Sequence, residues 1–352
     1  MLKELDGFRA LAVTLVVLFH VGFYINAIPG FNEIIGTGYL GVQVFFILSS
    51  LLLSRQYLLY YPQTTDKKQY TISFFRKRLL RIVPLYLVSS AVLAILNYQN
   101  LTFSLWNIIK YVLFISDDLH INVVTWSLLV EVRFYLLLPV IMEILFYLKQ
   151  RNVSVFVVPV VIILYSYTYR YVQLTYFNDK DMLERLYSSL SSNIDCLGWG
   201  IIAAIIFEKY KAVSLRQNLT VPVILILLIA IYAIMHVRYH HYFPGLQKLI
   251  VPVNNMLWTS LITLIMLAKT TIFNKALSAQ VAVYISMLSY SIYLWHLPIR
   301  VYIDTLLNKM MTGGLAKYMM LTELALVIVV TMIVSALSYR FIEKPFLKKK
   351  VA

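Results

Sequence analysis

The chain has 352 residues, of which 61% are hydrophobic and only 13% charged, with a mean hydropathy of +0.77. A water-soluble domain of this length has no use for so much apolar surface, and a single cysteine, Cys196, excludes an intramolecular disulfide or a cysteine-based metal cluster. The formal charge of +15 would suggest nucleic acid in a soluble protein, but in a membrane protein Lys and Arg gather first as cytoplasmic anchors.

The apolar residues come in runs of about 17–25, the length that carries a helix across ~30 Å of hydrocarbon. In chain order these runs are 8–25, 38–57, 82–98, 126–148, 153–171, 187–207, 219–236, 249–268, 280–300 and 318–339. The expected fold is therefore all-α, a polytopic integral membrane protein with about ten transmembrane helices. The first run lacks a small-residue cleavage site and is followed at once by others, so it reads as a retained helix rather than a signal peptide. The apolar stretch 103–116 is too short to span, and "SDDLH" after it carries no Lys or Arg, so it reads as an outside, interfacial or re-entrant segment. With the N-terminus in the cytoplasm, most of the 31 Lys and Arg residues fall on the inner side, which predicts N-in and C-in. Loops 26–37, 172–186 and 237–247 then face outside, and 58–75 and 208–217 face the cytoplasm. With no linker or low-complexity tract, residues 1–352 read as a single membrane-embedded domain.

The first run opens as "LDGFRALAVTLVVLFH", residues 5–20. Arg9 and His20 are eleven residues apart, which places them on one helix face, about 16 Å apart along the axis. Ionisable groups at such depth are costly and usually functional. Taken separately, Arg9 serves as a snorkelling anchor and His20 as a helix–helix hydrogen bond. By the rise per residue, His20 lies about 12 Å from the outer surface, Glu131 and Arg133 about 8–10 Å, and Asp195 about 12 Å. Three spans thus supply His, Glu, Arg and Asp at one depth, and a shared polar cavity is expected. A histidine beside a carboxylate can act as general base, with the carboxylate fixing its tautomer. A structural ion pair is the plain alternative for Glu131 and Arg133, but side chains two apart on a helix cannot point the same way, so the two are expected to serve different neighbours.

At the cytoplasmic entry of the third run, "FFRKRLLRIVP" (74–84) places Arg78 and Arg81 three apart on one face. Arginine's planar fork suits phosphate, and a helix start adds a positive dipole. "HVRYHH" (236–241) puts three histidines in an outside loop; three imidazoles could serve a metal, but no carboxylate lies near them in sequence to support such a site, and none is assigned. "YSIYLWHLP" (290–298) puts His296 near the outer end of the ninth run, where its Trp and Tyr neighbours fit an interfacial aromatic belt.

In this order, the pieces resemble the acyltransferase-3 family of bacterial membrane-bound O-acyltransferases. Arg9 and His20 meet the family's R-x10-H opening. Arg78, Arg81, Ile82, Pro84 and Tyr86 match its R-x-x-R-I-x-P-x-Y element, and Trp126, Ser127, Glu131, Phe134 and Tyr135 its W-S-L-x-x-E-x-x-F-Y segment. "SYSIYLWHLPI" and "YRFIEKPF" are similar to its last two helices. Two positions depart from the pattern: Gln43 stands where the family often has an acidic residue, and Ser50 where it often has glycine.

The resemblance implies transfer of an acyl group, most often acetyl, from cytoplasmic acyl-CoA to a hydroxyl of a cell-envelope polysaccharide or lipid-linked glycan. The protein would lie in the bacterial cell (inner) membrane, in the stand-alone form without a soluble esterase-like domain. It would need acyl-CoA as donor substrate, no bound cofactor, no metal and no nucleic acid. His20 and Glu131 would be catalytic, and Arg9, Arg78 and Arg81 would bind the donor. Asp195, Arg133, Trp126 and Tyr86 would support the cavity. Whether His20 is acylated or only removes a proton stays open at this level. The competing reading is a transporter or flippase of a lipid-linked glycan or small solute, which has no need of a CoA-binding arginine pair.

Overall fold

The computed structural model describes residues 3–22, 30–96, 104–115, 121–176, 186, 188–213, 215, 217–240, 247–268, 271–310 and 316–347. Every regular element among them is helical. Long helices coincide with the apolar runs: α1 is Lys3–Val21, preceding the short α2, Phe31–Gly36, and α3 is Gly41–Tyr60. Helix α4 is Lys67–Leu96, α5 the short Leu105–Val112, α6 Trp126–Gln150 and α7 Val157–Tyr176. Then come α8, Leu190–Tyr210; α9, Gln217–Tyr239; and α10, Gln247–Ala268. The short α11, Ile272–Leu277, precedes α12, Gln280–Met310, and α13, Ala316–Ser338. A π-helical turn, Tyr339–Glu343, leads into α14, Lys344–Leu347.

Six helical segments among the described residues are long and apolar enough to cross a membrane: Gly38–Gln63, Lys67–Leu96, Leu190–Tyr210, Gln217–Tyr239, Leu249–Ala268 and Thr322–Leu347. Their faces show how the bundle meets its surroundings. On α9, Thr220, Ile224, Ile231 and Met235 form one buried stripe at helical spacing. Leu219, Val223, Ile226 and Ile229 stand exposed on the other side. A helix apolar on both its inward and outward faces is built for hydrocarbon, not water.

One connection differs from expectation. The polar stretch 58–75 is largely helical, because α3 runs to Tyr60 and α4 starts at Lys67, with the Asp66 carboxylate accepting from the Gln69 N–H at 2.8 Å. Arg78 and Arg81 therefore sit mid-helix in a 30-residue α4, not at a helix N-terminus, so the expected dipole contribution is lost. The 103–116 stretch contains the eight-residue α5, with Leu105 and Trp106 exposed and Tyr111 buried. "SDDLH", 116–120, lies outside the described residues, as does 177–185 of the expected outer loop 172–186.

The most extensive helix packing is that of α3 with α8, followed by α7 with α8 and α1 with α12. Close backbone approach makes it possible. A Cβ on Gly41 would lie 2.6 Å from the Ala12 carbonyl oxygen, so α3 presses on α1 only with glycine there. On α8, a Cβ on Gly200 would lie 2.4 Å from the Ser50 Cβ. Ser50, one of the two departures from the family pattern, fills that gap and donates to the Leu197 carbonyl at 2.7 Å.

Candidate active site

Two cavities lie back to back inside the bundle. The first, about 450 Å³, is lined by His20, Tyr39, Gln43, Trp126, Arg170, Asn193 and Arg238, among others. The second, about 390 Å³, is lined by Arg9, Arg55, Gln56, Arg78, Arg81, Ser127, Glu131 and Tyr290, among others. Val42 and Tyr293 line both and form the partition between them. Helix α1 spans the pair, with Arg9 in one cavity and His20 in the other. Tyr293 is fixed at the partition, donating to the Val124 carbonyl at 3.1 Å and pairing with Ser127 Oγ at 2.8 Å.

The second cavity is strongly cationic, with four arginines and one carboxylate in its lining. Arg9, Arg78 and Arg81 all line it. Arg78 Nη2 donates to Gln56 Oε1 at 3.3 Å, and Arg55 Nε donates to Glu208 Oε1 at 2.5 Å. Arg9 lies 3.7 Å from Asp6. Tyr290, from α12, donates to the Ile82 carbonyl at 2.7 Å, tying this wall to α4 just before its Pro84. Such a basic concavity favours an anionic ligand.

The expectation of one shared cavity for His20, Glu131, Arg133 and Asp195 is corrected. Glu131 lines the arginine cavity, where its Oε1 accepts from Tyr135 at 2.5 Å and Ser49 at 3.0 Å. Trp126 lines the His20 cavity, but Glu131, five residues on, lies about 7.5 Å deeper and beyond the Val42–Tyr293 partition. Arg133 donates to the Ile115 carbonyl at 2.7 Å and pins α6 to the end of the α5 segment. Tyr86 does not line either cavity; it is buried, stacked on Tyr111 and Phe114, and donates to the Tyr111 carbonyl at 3.1 Å. Asp195 is wholly buried behind the His20 cavity, bound by both Nη atoms of Arg170 at 3.2 Å and by Asn255 Nδ2 at 2.8 Å. It is Arg170 that reaches the cavity lining.

The ring partner of His20 is another histidine rather than a carboxylate. His296, 1% exposed, places Nε2 3.1 Å from His20 Nδ1, and the rings lie 4.9 Å apart. Its own Nδ1 faces the Tyr293 carbonyl at 2.7 Å and the Ile292 carbonyl at 3.1 Å. Carbonyls only accept, so His296 carries its proton on Nδ1 and offers the Nε2 lone pair to His20. His20 Nδ1 thus faces two acceptors, that lone pair and the Val16 carbonyl at 2.9 Å, and carries a proton. The His20 Nε2 lone pair remains for chemistry. The sequence places His296 in an interfacial belt; the structure buries it against His20, where it and the Val16 carbonyl both face His20 Nδ1.

The described residues thus form a membrane-type helix bundle that holds a cationic cavity and a histidine cavity side by side. The comparison with known families agrees: the model described as acyltransferase domain matches residues 2–340, and the chain belongs to this acyltransferase-3 family. It is 26% identical over 378 residues to the O-acetyltransferase OatA of Staphylococcus aureus strain NCTC 8325, an alignment covering 99% of this chain and 57% of that protein. A second protein of Staphylococcus aureus, from strain COL, to which an O-acetyltransferase activity is provisionally assigned, is 26% identical over 385 residues with the same coverage. The chain thus spans little more than half the length of the curated relatives it matches. No solved structure matches it.

Proposed function

We propose that the chain is a membrane-bound O-acyltransferase that moves an acyl group, acetyl in the first instance, from cytoplasmic acyl-CoA to a hydroxyl of a cell-envelope glycan or lipid-linked sugar. The observation that carries this reading is the pair of cavities meeting at Val42 and Tyr293, one lined by arginines and the other by His20. With N-in topology, the Arg9 cavity opens toward the cytoplasm, where CoA phosphates meet Arg78 and Arg81. The acyl end then reaches past the partition toward His20, so neither CoA nor glycan has to cross the bilayer.

At the reacting atoms, the acceptor hydroxyl gives its proton to His20 Nε2 as its oxygen attacks the thioester carbonyl carbon. The C–S bond breaks, and the departing thiolate takes that proton back, leaving His20 neutral. The Nδ1–H bond to His296 and Val16 holds the ring in the needed tautomer throughout. Glu131, placed among the arginines, orients the donor side in this scheme.

Titration of the purified chain in detergent with acetyl-CoA tests the donor assignment. Saturable binding is expected, weakened about tenfold or more when Arg78→Lys and Arg81→Lys are combined, because lysine keeps the charge but loses the bidentate fork. No saturable binding by the parent chain would contradict the proposal and favour a transporter.

A further inference from the structure

The HVRYHH segment of the sequence meets in the fold the carboxylate it lacks in sequence. Helix α9 extends to Tyr239, and the His240 N–H still bonds to the His236 carbonyl at 3.1 Å, so these two histidines share one face at i,i+4 spacing. Facing them is Glu33 from α2, which packs against the end of α9. Its Oε1 lies 3.2 Å from His236 Nδ1 and 3.4 Å from His240 Nε2. One ligand atom from each of the three residues lies within 4.8 Å of the other two. His241 lies outside the described residues.

The two Glu–His spacings fit a metal's coordination shell. Ligands at about 2.0–2.1 Å in a tetrahedron stand about 3.3 Å apart, the separation found here along both Glu–His edges. Two imidazoles and a carboxylate form a donor set for a divalent transition ion, with a fourth position left for water. The side chains of His236 and His240 are 38% and 36% exposed, so an ion can enter from solvent.

We propose that Glu33, His236 and His240 form a zinc-type divalent metal site that clamps α2 to the end of α9. Its placement gives it a structural reach. Arg238, between the two histidines, donates to the Tyr39 hydroxyl at 2.8 Å, and both residues line the His20 cavity. An ion bound here fixes the spacing of α2 and α9 and with it that rim of the cavity. The site stands on its own geometry and does not depend on the acyl-transfer reading.

The test uses the full chain in detergent, carrying an affinity tag without histidine and stripped with a chelator. Cobalt(II) is titrated while its visible ligand-field absorption is followed, and zinc is then added to displace it. One cobalt per chain is expected, with the stronger absorption of a low-coordinate site and full displacement by zinc. Glu33→Gln and His240→Ala should each weaken binding about tenfold or more. On the unmodified chain, zinc should raise the thermal unfolding midpoint, a readout that needs no variant to fold. No stoichiometric binding by the unmodified chain, or equal binding by a His236→Ala/His240→Ala variant, would overturn the proposal.

Discussion

The ion pair behind the His20 cavity gives a sharp test of how the bundle is held together. Arg170 on α7 and Asp195 on α8 meet in a two-pronged contact at 3.2 Å, with side chains only 5% and 0% exposed. Asn255 on α10 completes the carboxylate's shell at 2.8 Å, so three helices converge there. With an effective dielectric constant of about 20, unit charges at this distance attract by about 5 kcal/mol. Much of that repays the cost of burial, so the pair itself adds little net stability, whereas an orphaned partner is expensive. Asp195→Leu should therefore destabilise the chain by roughly 3–5 kcal/mol, and Arg170→Met by a similar amount. The double variant Arg170→Met/Asp195→Leu should cost clearly less than either single change. Thermal unfolding in detergent, followed by loss of the monodisperse species on size exclusion, ranks the four proteins. Strict additivity, with the double variant worst, would refute the reasoning and show the two side chains acting independently.

Two further predictions concern packing and sidedness. Gly41→Ala puts a methyl 2.6 Å from the Ala12 carbonyl oxygen, a backbone atom that cannot swing aside; we expect a loss of about 1–3 kcal/mol in thermal stability, and an unchanged unfolding midpoint would show that α1 and α3 part freely. For the proposed N-in topology, Tyr176→Cys at the exposed end of α7 should react with an impermeant thiol reagent in intact cells and Lys67→Cys only after permeabilisation; Cys196, fully buried, should stay silent, and the reverse pattern would invert the orientation.

Much of this architecture was legible because apolar run length has a single physical cause in a bilayer. The runs mark the helices, and the i,i+3 spacing of Arg78 and Arg81 brings both into one cavity with Arg9. Depth arithmetic was less successful with Glu131, because depth is one coordinate and cavity membership also depends on where a wall such as Val42–Tyr293 falls. Arg170 gave no separate signal: at the outer end of its run it is indistinguishable from an interfacial anchor until Asp195 is placed opposite. His296 was hidden in the same way by its aromatic neighbours, and Glu33 lies 203 residues from His236. Contacts of that range are set by which helix faces pack together, and a single sequence does not record them.

In the proposed reaction His20 Nε2 takes the acceptor's proton while the donor waits in the arginine cavity. The most direct measurement compares His20→Gln with the parent chain in isolated membranes supplied with radiolabelled acetyl-CoA. It reads alkali-labile acetate on envelope glycan beside acetyl-CoA binding by the purified proteins. Transfer should fall at least ~10²-fold with donor binding unchanged. Near-parental transfer by a well-folded His20→Gln protein would contradict it.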